Sequence, residues 1–169
     1  MRYASIRNFD ITNGEGIGVA LFVQGCDFHC KDCFNSSTWD FNGGKEYTRD
    51  TEEMFLVYVS PDYIQRVTIL GGEPMHPTNR ESVLALCKRI KKEYPDKKIW
   101  VYTGYLYEYL ISESDLSDID YLIDGQFVTE LADYRLPFRG SSNQRIIDVQ
   151  RSIVNNKVVL WGDTNEKGG

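Results

Sequence analysis

Short apolar runs alternate with amphipathic segments along the chain, and this alternation limits the folds that are open to it. Four runs have the branched and aromatic residues of buried strands: Ile17–Val23, Val67–Leu70, Ile99–Tyr102 and Tyr121–Ile123. Thr78 to Tyr94 has one apolar and one lysine-rich side, which is typical of a helix, and further helices are predicted from Asp50 and through Leu106 to Leu110. Alternating strands and helices predict an α/β domain with a mostly parallel sheet.

Polar motifs follow each of these predicted strands at its carboxyl end. They are, in order, Cys26–Cys33, Gly71–Pro74, Thr103–Gly104 and Asp124–Gly125. Ligands of parallel α/β sheets bind in the crevice outside the carboxyl ends of the strands. The four motifs therefore predict one shared site.

The length and charge of the chain exclude several classes of protein. Its 169 residues suit one domain, which we place at residues 1–162, followed by a flexible tail over 163–169. A net charge of −6 disfavours non-specific nucleic-acid binding. No uncharged run approaches the ~18 apolar residues of a membrane span, and the N-terminus lacks the apolar core of a signal peptide. We therefore expect a cytoplasmic protein that binds neither nucleic acid nor membrane.

Three of the four cysteines lie close together, with the spacing Cys-x3-Cys-x2-Cys at Cys26, Cys30 and Cys33. In a reducing compartment, clustered thiols are more often metal ligands or catalytic groups than disulfides. Soft thiolates select zinc or iron–sulfur clusters. Structural zinc takes four ligands, and His29 or Cys87 would have to supply the fourth. Cys87 falls on the apolar side of its helix, which favours a core position, and an iron–sulfur cluster with three ligands would keep one iron open.

The cysteine spacing and the later run Gly71-Gly72-Glu73-Pro74 together resemble the radical S-adenosylmethionine superfamily. The resemblance implies a 4Fe–4S cluster whose open iron binds S-adenosylmethionine, and whose electron cleaves the sulfonium C–S bond to release a 5′-deoxyadenosyl radical. The implied ligands of the cluster are Cys26, Cys30 and Cys33. The implied cofactor contacts are Asp32, Cys33 and Phe34 beside the adenine, Gly71, Gly72 and Glu73 at the methionine, and Thr103 and Asp124 facing the same crevice.

Further blocks are similar to the activating proteins of anaerobic ribonucleoside-triphosphate reductase: Phe22–Cys26, Cys33–Asn35, Thr38–Phe41, Tyr102–Tyr105, Asp124–Phe127 and Arg139–Arg145. This resemblance implies that the chain abstracts a hydrogen atom from a glycine Cα and leaves a glycyl radical. The implied partners are the C-terminal loop of the large reductase subunit, which bears that glycine, and a low-potential electron donor such as flavodoxin. The implied fold is an incomplete (β/α) barrel, laterally open, because 169 residues fall short of the ~250 of a full barrel.

Other functions stay open. One is another small radical enzyme, similar to pyruvate formate-lyase activase or carboxy-deazaguanine synthase, although the block Arg139–Arg145 argues against it. A zinc-stabilised binding module is the other. Two positions depart from the family pattern, because Asp32 stands where an aromatic residue is frequent and Gly18 stands where an arginine is common.

For three further residues the sequence allows two alternative roles each. His29 is either a polar loop residue or a hydrogen-bond donor to the cluster. Arg139 and Arg145 either contact a partner or ligand carboxylate or form structural ion pairs.

Overall fold

The computed structural model describes residues 1–164, and its strands and helices alternate as the sequence predicts. The strands are β1 (Arg2–Asp10), β2 (Gly18–Val23), β3 (Lys45–Glu46), β4 (Arg66–Gly71), β5 (Lys98–Tyr102), β6 (Tyr121–Asp124) and β7 (Arg145–Asp148). The helices are α1 (Arg49–Val59), α2 (Pro77–Glu93), α3 (Tyr107–Glu113) and α4 (Val149–Asn155). Residues 165–169 of the predicted tail lie outside the described residues.

Within the described residues, the strands form one open sheet in the order β3-β1-β2-β4-β5-β6-β7. The central strands β2, β4, β5 and β6 are parallel, whereas the pairings of β1 with β2 and β3, and of β6 with β7, are antiparallel. The predicted mixed α/β class is confirmed. The expectation of a mostly parallel sheet holds at the centre and is wrong at the edges.

The connections between the strands explain this correction. Parallel neighbours need a long crossover, usually a helix, and α1, α2 and α3 lie in the crossovers between the central strands. Residues 11–17 between β1 and β2 are too few for a crossover. Residues 125–144 between β6 and β7 carry only the short 3-10 turn Thr129–Leu131. Each of these outer strands therefore returns antiparallel to its neighbour.

All the helices pack on one face of the sheet. Alternate residues of β2 and β4, such as Val19, Leu21 and Ile69, join Phe55 of α1 and Leu86 of α2 in the main hydrophobic core. The opposite face carries smaller apolar clusters built on Phe22 and Leu70, and on Trp100 and Ile123. This second face has no helix over it among the described residues, and it is the face on which the cleft described below opens.

Helix α2 begins directly after the Gly71–Pro74 motif. The His76 ring accepts a hydrogen bond from the Thr78 backbone at 3.1 Å, and Pro77 occupies the first helical position, where its missing N–H is not needed. The helix predicted over 78–94 is thus confirmed within one residue at each end. No helix within residues 1–164 combines the length and the apolar character that crossing a membrane requires.

Candidate functional site

A cleft of about 770 Å³ opens on the helix-free face of the sheet at the carboxyl ends of the central strands. Its floor includes Phe22, Leu70 and Tyr102, and loops form its walls. Most of the predicted site residues line it: Cys26, Cys30, Cys33, Phe34, Gly71, Gly72, Glu73 and Thr103. The four strand-end motifs thus meet as the sequence predicts, although Asp32 and Asp124 are not among the lining residues.

The loop that carries the three cysteines is fastened to its own far end. The backbone N–H groups of Gly25 and Cys26 donate to the carbonyls of Thr38 and Trp39 at 2.7 and 3.0 Å. The buried Gln24 side chain donates to the Asp40 carbonyl at 2.8 Å. These bonds fix the entry of the loop, so that Cys26 is buried while Cys30 and Cys33 are half-buried toward the cleft.

Burial makes the thiols of Cys26 and Cys30 hard to ionise without a metal. It raises the pKa of Cys26 to about 11 and also raises the pKa of Cys30. The backbone N–H groups of Phe28 and His29, which face the Cys26 sulfur, oppose this effect at Cys26. The Asn35 N–H also donates to Cys33 Sγ, at 3.4 Å. Metal binding releases thiol protons, and N–H groups directed at sulfur are a common feature of iron–sulfur sites. The donor set of this cleft therefore fits an iron–sulfur cluster.

The alternative zinc site is not assembled. Within residues 1–164, no group of three or more His, Cys, Asp or Glu side chains is close enough to hold a single metal ion. Cys87 lies fully buried in the main core, which confirms its predicted core position. The His29 ring stacks on Trp39 with their centroids 4.4 Å apart.

The Gly71-Gly72 turn brings the end of β4 against the cysteine loop. Gly71 has a φ of +103°, and a Cβ there would stand 2.8 Å from the Val23 carbonyl oxygen. A Cβ on Gly72 would stand 2.5 Å from the Gly25 carbonyl oxygen. Both distances are shorter than van der Waals contact, so only glycine fits without a shift of the backbone. The glycines thus have a packing role within the chain.

Glu73 joins the ends of β4 and β5 through a buried carboxylate. Oε1 accepts from Thr103 Oγ1 at 2.6 Å and from the Met75 N–H at 2.9 Å, and Oε2 accepts from the Gly104 N–H at 2.7 Å. Burial raises the pKa of Glu73 to about 7, against the lowering effect of these hydrogen bonds. The carboxylate therefore fixes the predicted Thr103 and the strand-end turn that carries it.

Asp32 and Phe34 lie on either side of Cys33 at the mouth of the cleft. Asp32 has a φ of +57°, a conformation that Asp tolerates better than an aromatic residue does, and its carboxylate accepts from Thr129 Oγ1 at 3.1 Å. Phe34 is 64% exposed and its ring lies 5.3 Å from the Phe127 ring and 6.4 Å from the Tyr134 ring, centroid to centroid. An aromatic rim thus borders the cleft where an adenine contact is predicted.

Asp124 is held inside the protein by an ion pair. Its carboxylate accepts from Arg145 Nε at 3.0 Å and from the Tyr107 N–H at 2.9 Å, and Arg145 also binds Glu108 at 2.8 Å. The two carboxylates raise the pKa of the Arg145 guanidinium. Arg145 therefore forms a structural ion pair, which is one of the two roles predicted for it. A cofactor contact for Asp124 stays a prediction.

Three further residues line the cleft: Gln126 and Phe127 are not among the predicted site residues, whereas Arg139 is one of the residues with two predicted roles. Gln126 Oε1 lies 4.0 Å from Cys30 Sγ. The Arg139 guanidinium donates to the Gln144 carbonyl. The signal for Gln126 was its place directly after the strand-end motif Asp124–Gly125, on the edge where the other motifs converge.

Comparison with known proteins agrees with this site. Residues 12–147 match the model of a family described as a 4Fe-4S single cluster domain, and this range includes all three cysteines of the cleft. An anaerobic ribonucleoside-triphosphate reductase-activating protein of Vibrio cholerae is 42% identical over 150 residues, which cover 86% of this chain and 97% of the relative. Relatives of that name in Salmonella typhimurium and Enterobacteria phage T4 are 43% and 39% identical, over 85% and 86% of this chain and 96% and 93% of the relatives. The chain therefore belongs to the family of anaerobic ribonucleoside-triphosphate reductase-activating proteins.

Proposed function

We propose that this chain activates anaerobic ribonucleoside-triphosphate reductase by generating a glycyl radical on its large subunit. The observation that carries the proposal is the meeting of Cys26, Cys30 and Cys33 with the Gly71–Glu73 turn in one cleft. The names of the relatives, which match nearly the full length of this chain, support the choice of substrate.

Cys26, Cys30 and Cys33 would hold a 4Fe–4S cluster with one open iron, and S-adenosylmethionine would bind beside it. When bound, this pair supplies a reductive cleavage of the sulfonium C–S bond that yields methionine and a carbon radical, which takes one hydrogen atom from a glycine Cα of the reductase. The residues of the cleft would shield the cluster and position the cofactor. The cleft shields the thiolates of the three ligands from bulk water, because Cys26 is buried and its neighbours are half-buried.

The turn at Gly71, Gly72 and Glu73 would receive the methionine part of the cofactor through its backbone. Its own contacts support this, because Glu73 is anchored by Thr103 and Gly104 and so keeps the turn rigid. Phe34 is an exposed aromatic residue of the rim, directly after Cys33, and its ring is suited to an adenine contact; Asp32 precedes Cys33. Thr103 lines the same cleft, whereas Asp124 is buried and does not line it.

The open sheet suits a protein substrate. We interpret it as an incomplete (β/α) barrel, because parallel strands with helices on one face are the units of such a barrel. The face without helices leaves the cleft accessible to the glycine-bearing C-terminal loop of the reductase. The single electron for each turnover comes from a low-potential donor such as flavodoxin, in the cytoplasm, where thiols stay reduced.

The test is anaerobic incubation of the iron–sulfur-reconstituted protein with the reductase, a reductant and S-adenosylmethionine. Electron paramagnetic resonance should detect a glycyl radical on the reductase, and chromatography should detect methionine and 5′-deoxyadenosine. Cys30→Ala should abolish the radical and both products. Cys87→Ala is the matched control, because this thiol lies in the core away from the cleft. Its loss should leave the cluster, and the brown colour that the cluster gives the protein, in place.

The possible results separate the functions. Cofactor cleavage without a radical on the reductase would assign the chain to a different substrate. A colourless wild-type protein with stoichiometric zinc would overturn the proposal.

A further inference from the structure

The segment that follows β6, Gly125 to Thr129, lies over the cysteine loop, and we refer to it as the cover segment. Gln126 Oε1 is 4.0 Å from Cys30 Sγ, and the backbone of Phe127 faces the same sulfur. Thr129 Oγ1 donates to the Lys31 carbonyl at 2.8 Å, directly after Cys30. The cover segment therefore contributes the polar surroundings of Cys30, although it is distant from the cysteines in sequence.

The turn Ser141–Gln144 anchors the cover segment through hydrogen bonds. Gln144 Nε2 donates to the Gly125 carbonyl at 3.0 Å, and Asn143 Nδ2 donates to the Gln126 carbonyl at 2.8 Å. The buried Ser141 hydroxyl accepts from the Val128 N–H at 3.2 Å. Three side chains of one turn thus bind three backbone groups of the cover segment.

Gln144 also closes the turn from which it projects. Its Oε1 accepts from the N–H groups of Gly140 and Ser141 at 2.9 and 3.1 Å. The oxygen of the Gln144 amide therefore accepts the hydrogen bonds that close the turn, while its nitrogen donates a hydrogen bond to the cover segment. This explains why a polar block with no cysteine, Arg139–Arg145, accompanies the cysteine motif in this chain.

We propose that Gln144 and Asn143 are positioning residues that hold the cover segment against Cys30, and that they thereby set the environment of the cluster sulfur at that position. We refer to these two residues as the clamp. This inference rests on the proposed function, because it requires Cys30 to be an iron–sulfur ligand. Hydrogen bonds to ligand sulfurs and the access of solvent set the reduction potential of such clusters. Loss of the clamp would move the Phe127 backbone away from the sulfur and admit solvent to it, so the potential should shift from its wild-type value.

The first test needs no cluster. In the metal-free protein, alkylation of each cysteine by iodoacetamide at a fixed pH is followed by mass spectrometry. Gln144→Met should raise the alkylation rate of Cys30 several-fold. Gln150→Met is the matched control, because Gln150 Nε2 also donates to two carbonyls, those of Ser117 and Ile119, both at 2.7 Å. A Cys30 rate in Gln144→Met equal to the rate in the control overturns the inference.

The second test uses the reconstituted protein and measures the midpoint potential of its cluster by spectroelectrochemistry. Gln144→Met should shift the potential relative to wild type, and Gln150→Met should leave it unchanged. Gln144→Glu is the second variant for the case that Gln144→Met does not fold. It keeps an oxygen that closes the turn but replaces the donor to Gly125 with an oxygen and adds a negative charge, so in this variant the alkylation rate of Cys30 is the test of the clamp.

The two proposals fail differently. A wild-type protein that takes up no cluster defeats the proposed function, whereas the alkylation rates still decide whether the clamp positions the cover segment. A wild-type protein that takes up a cluster, together with Gln144 variants whose Cys30 alkylation rate equals that of the control, overturns the clamp and leaves the proposed function in place.

Discussion

The Thr103 hydroxyl donates to the Glu73 carboxylate at 2.6 Å, and this bond joins the ends of two neighbouring parallel strands beneath the cleft. Glu73 is 2% exposed and has no cationic partner within ion-pair distance among residues 1–164. A buried carboxyl without a partner of opposite charge favours its protonated form. The residue that fixes the Gly71–Glu73 turn is therefore also a source of pH dependence.

Glu73 should make the metal-free protein less stable as the pH rises from about 4.5 to about 7. Its pKa is about 7 in the folded protein, against 4.5 in an unfolded chain, so the folded state binds more protons in this window. The free energy of unfolding should fall by an amount on the order of 3 kcal/mol across the window, at 1.36 kcal/mol per pKa unit. Denaturant unfolding at several pH values measures this change.

Glu73→Gln should remove that component of the slope, because an amide does not titrate. The variant should also be less stable at low pH, since its NH2 group would face the Gly104 N–H in place of an oxygen. Wild-type and variant proteins with parallel stability curves between pH 4.5 and 7 would contradict the assignment.

Gly71→Ala should destabilise the fold more than a positive φ alone explains. Gly71 and Gly162 both have positive φ values, +103° and +82°, but a Cβ at Gly71 meets the Val23 carbonyl at 2.8 Å whereas a Cβ at Gly162 meets nothing within 4 Å. Both variants carry a backbone strain of about 1–3 kcal/mol. Gly71→Ala adds a steric clash, so its melting temperature should be the lower of the two, as measured by circular dichroism. Equal melting temperatures of the two variants would contradict the packing role inferred for Gly71.

The centre of the fold could be predicted from sequence because its signal is local. The strands β2, β4, β5 and β6 are buried on both faces or nearly so, and they appear as continuous apolar runs. Strand β1 was not predicted, because only Tyr3 and Asp10 of its nine residues are buried. Asp10 is buried because Arg66 binds it at 2.8 Å, and nothing local to either residue shows that pairing.

The candidate site divides in the same way. Its place at the strand ends follows from the alternation of strands and helices, so the gathering of Cys26, Gly71 and Thr103 could be predicted. The partner of each polar side chain could not. Asp124 is the last residue of β6 and Thr103 directly follows β5, so the two hold similar positions, yet Arg145, on the antiparallel edge strand β7, binds the Asp124 carboxylate. Such pairings depend on tertiary packing and have no periodic signal in the sequence.

Arg145→Met should strongly destabilise the protein, because it leaves the fully buried Asp124 carboxylate without its guanidinium. Loss of one partner of a buried ion pair costs about 3–5 kcal/mol. Arg135→Met is the matched control, since Arg135 and Asp133 form an exposed pair whose loss should leave the free energy of unfolding nearly unchanged. Chemical denaturation measures both variants. The double variant Asp124→Leu with Arg145→Met should recover part of the loss, and a cost for Arg145→Met no greater than for Arg135→Met would refute the structural reading.

Phe34→Ala should weaken the binding of S-adenosylmethionine to the reconstituted protein. Phe34 is exposed at the mouth of the cleft, next to the Cys33 ligand, and an aromatic face there suits an adenine ring. Stacking of a base on an aromatic side chain is worth about 1–3 kcal/mol, which corresponds to a dissociation constant raised about fivefold to about 150-fold.

Phe9→Ala provides the control for this prediction, because Phe9 is exposed to a similar degree, 57% against 64%, and does not line the cleft. Anaerobic isothermal titration calorimetry gives the dissociation constants, and the visible spectrum of each variant verifies that the cluster is intact. Phe9→Ala should bind as the wild type does. If Phe34→Ala also binds as the wild type does, the adenine contact must come from the backbone around Asp32 and Cys33 alone, and the predicted role of the Phe34 ring is wrong.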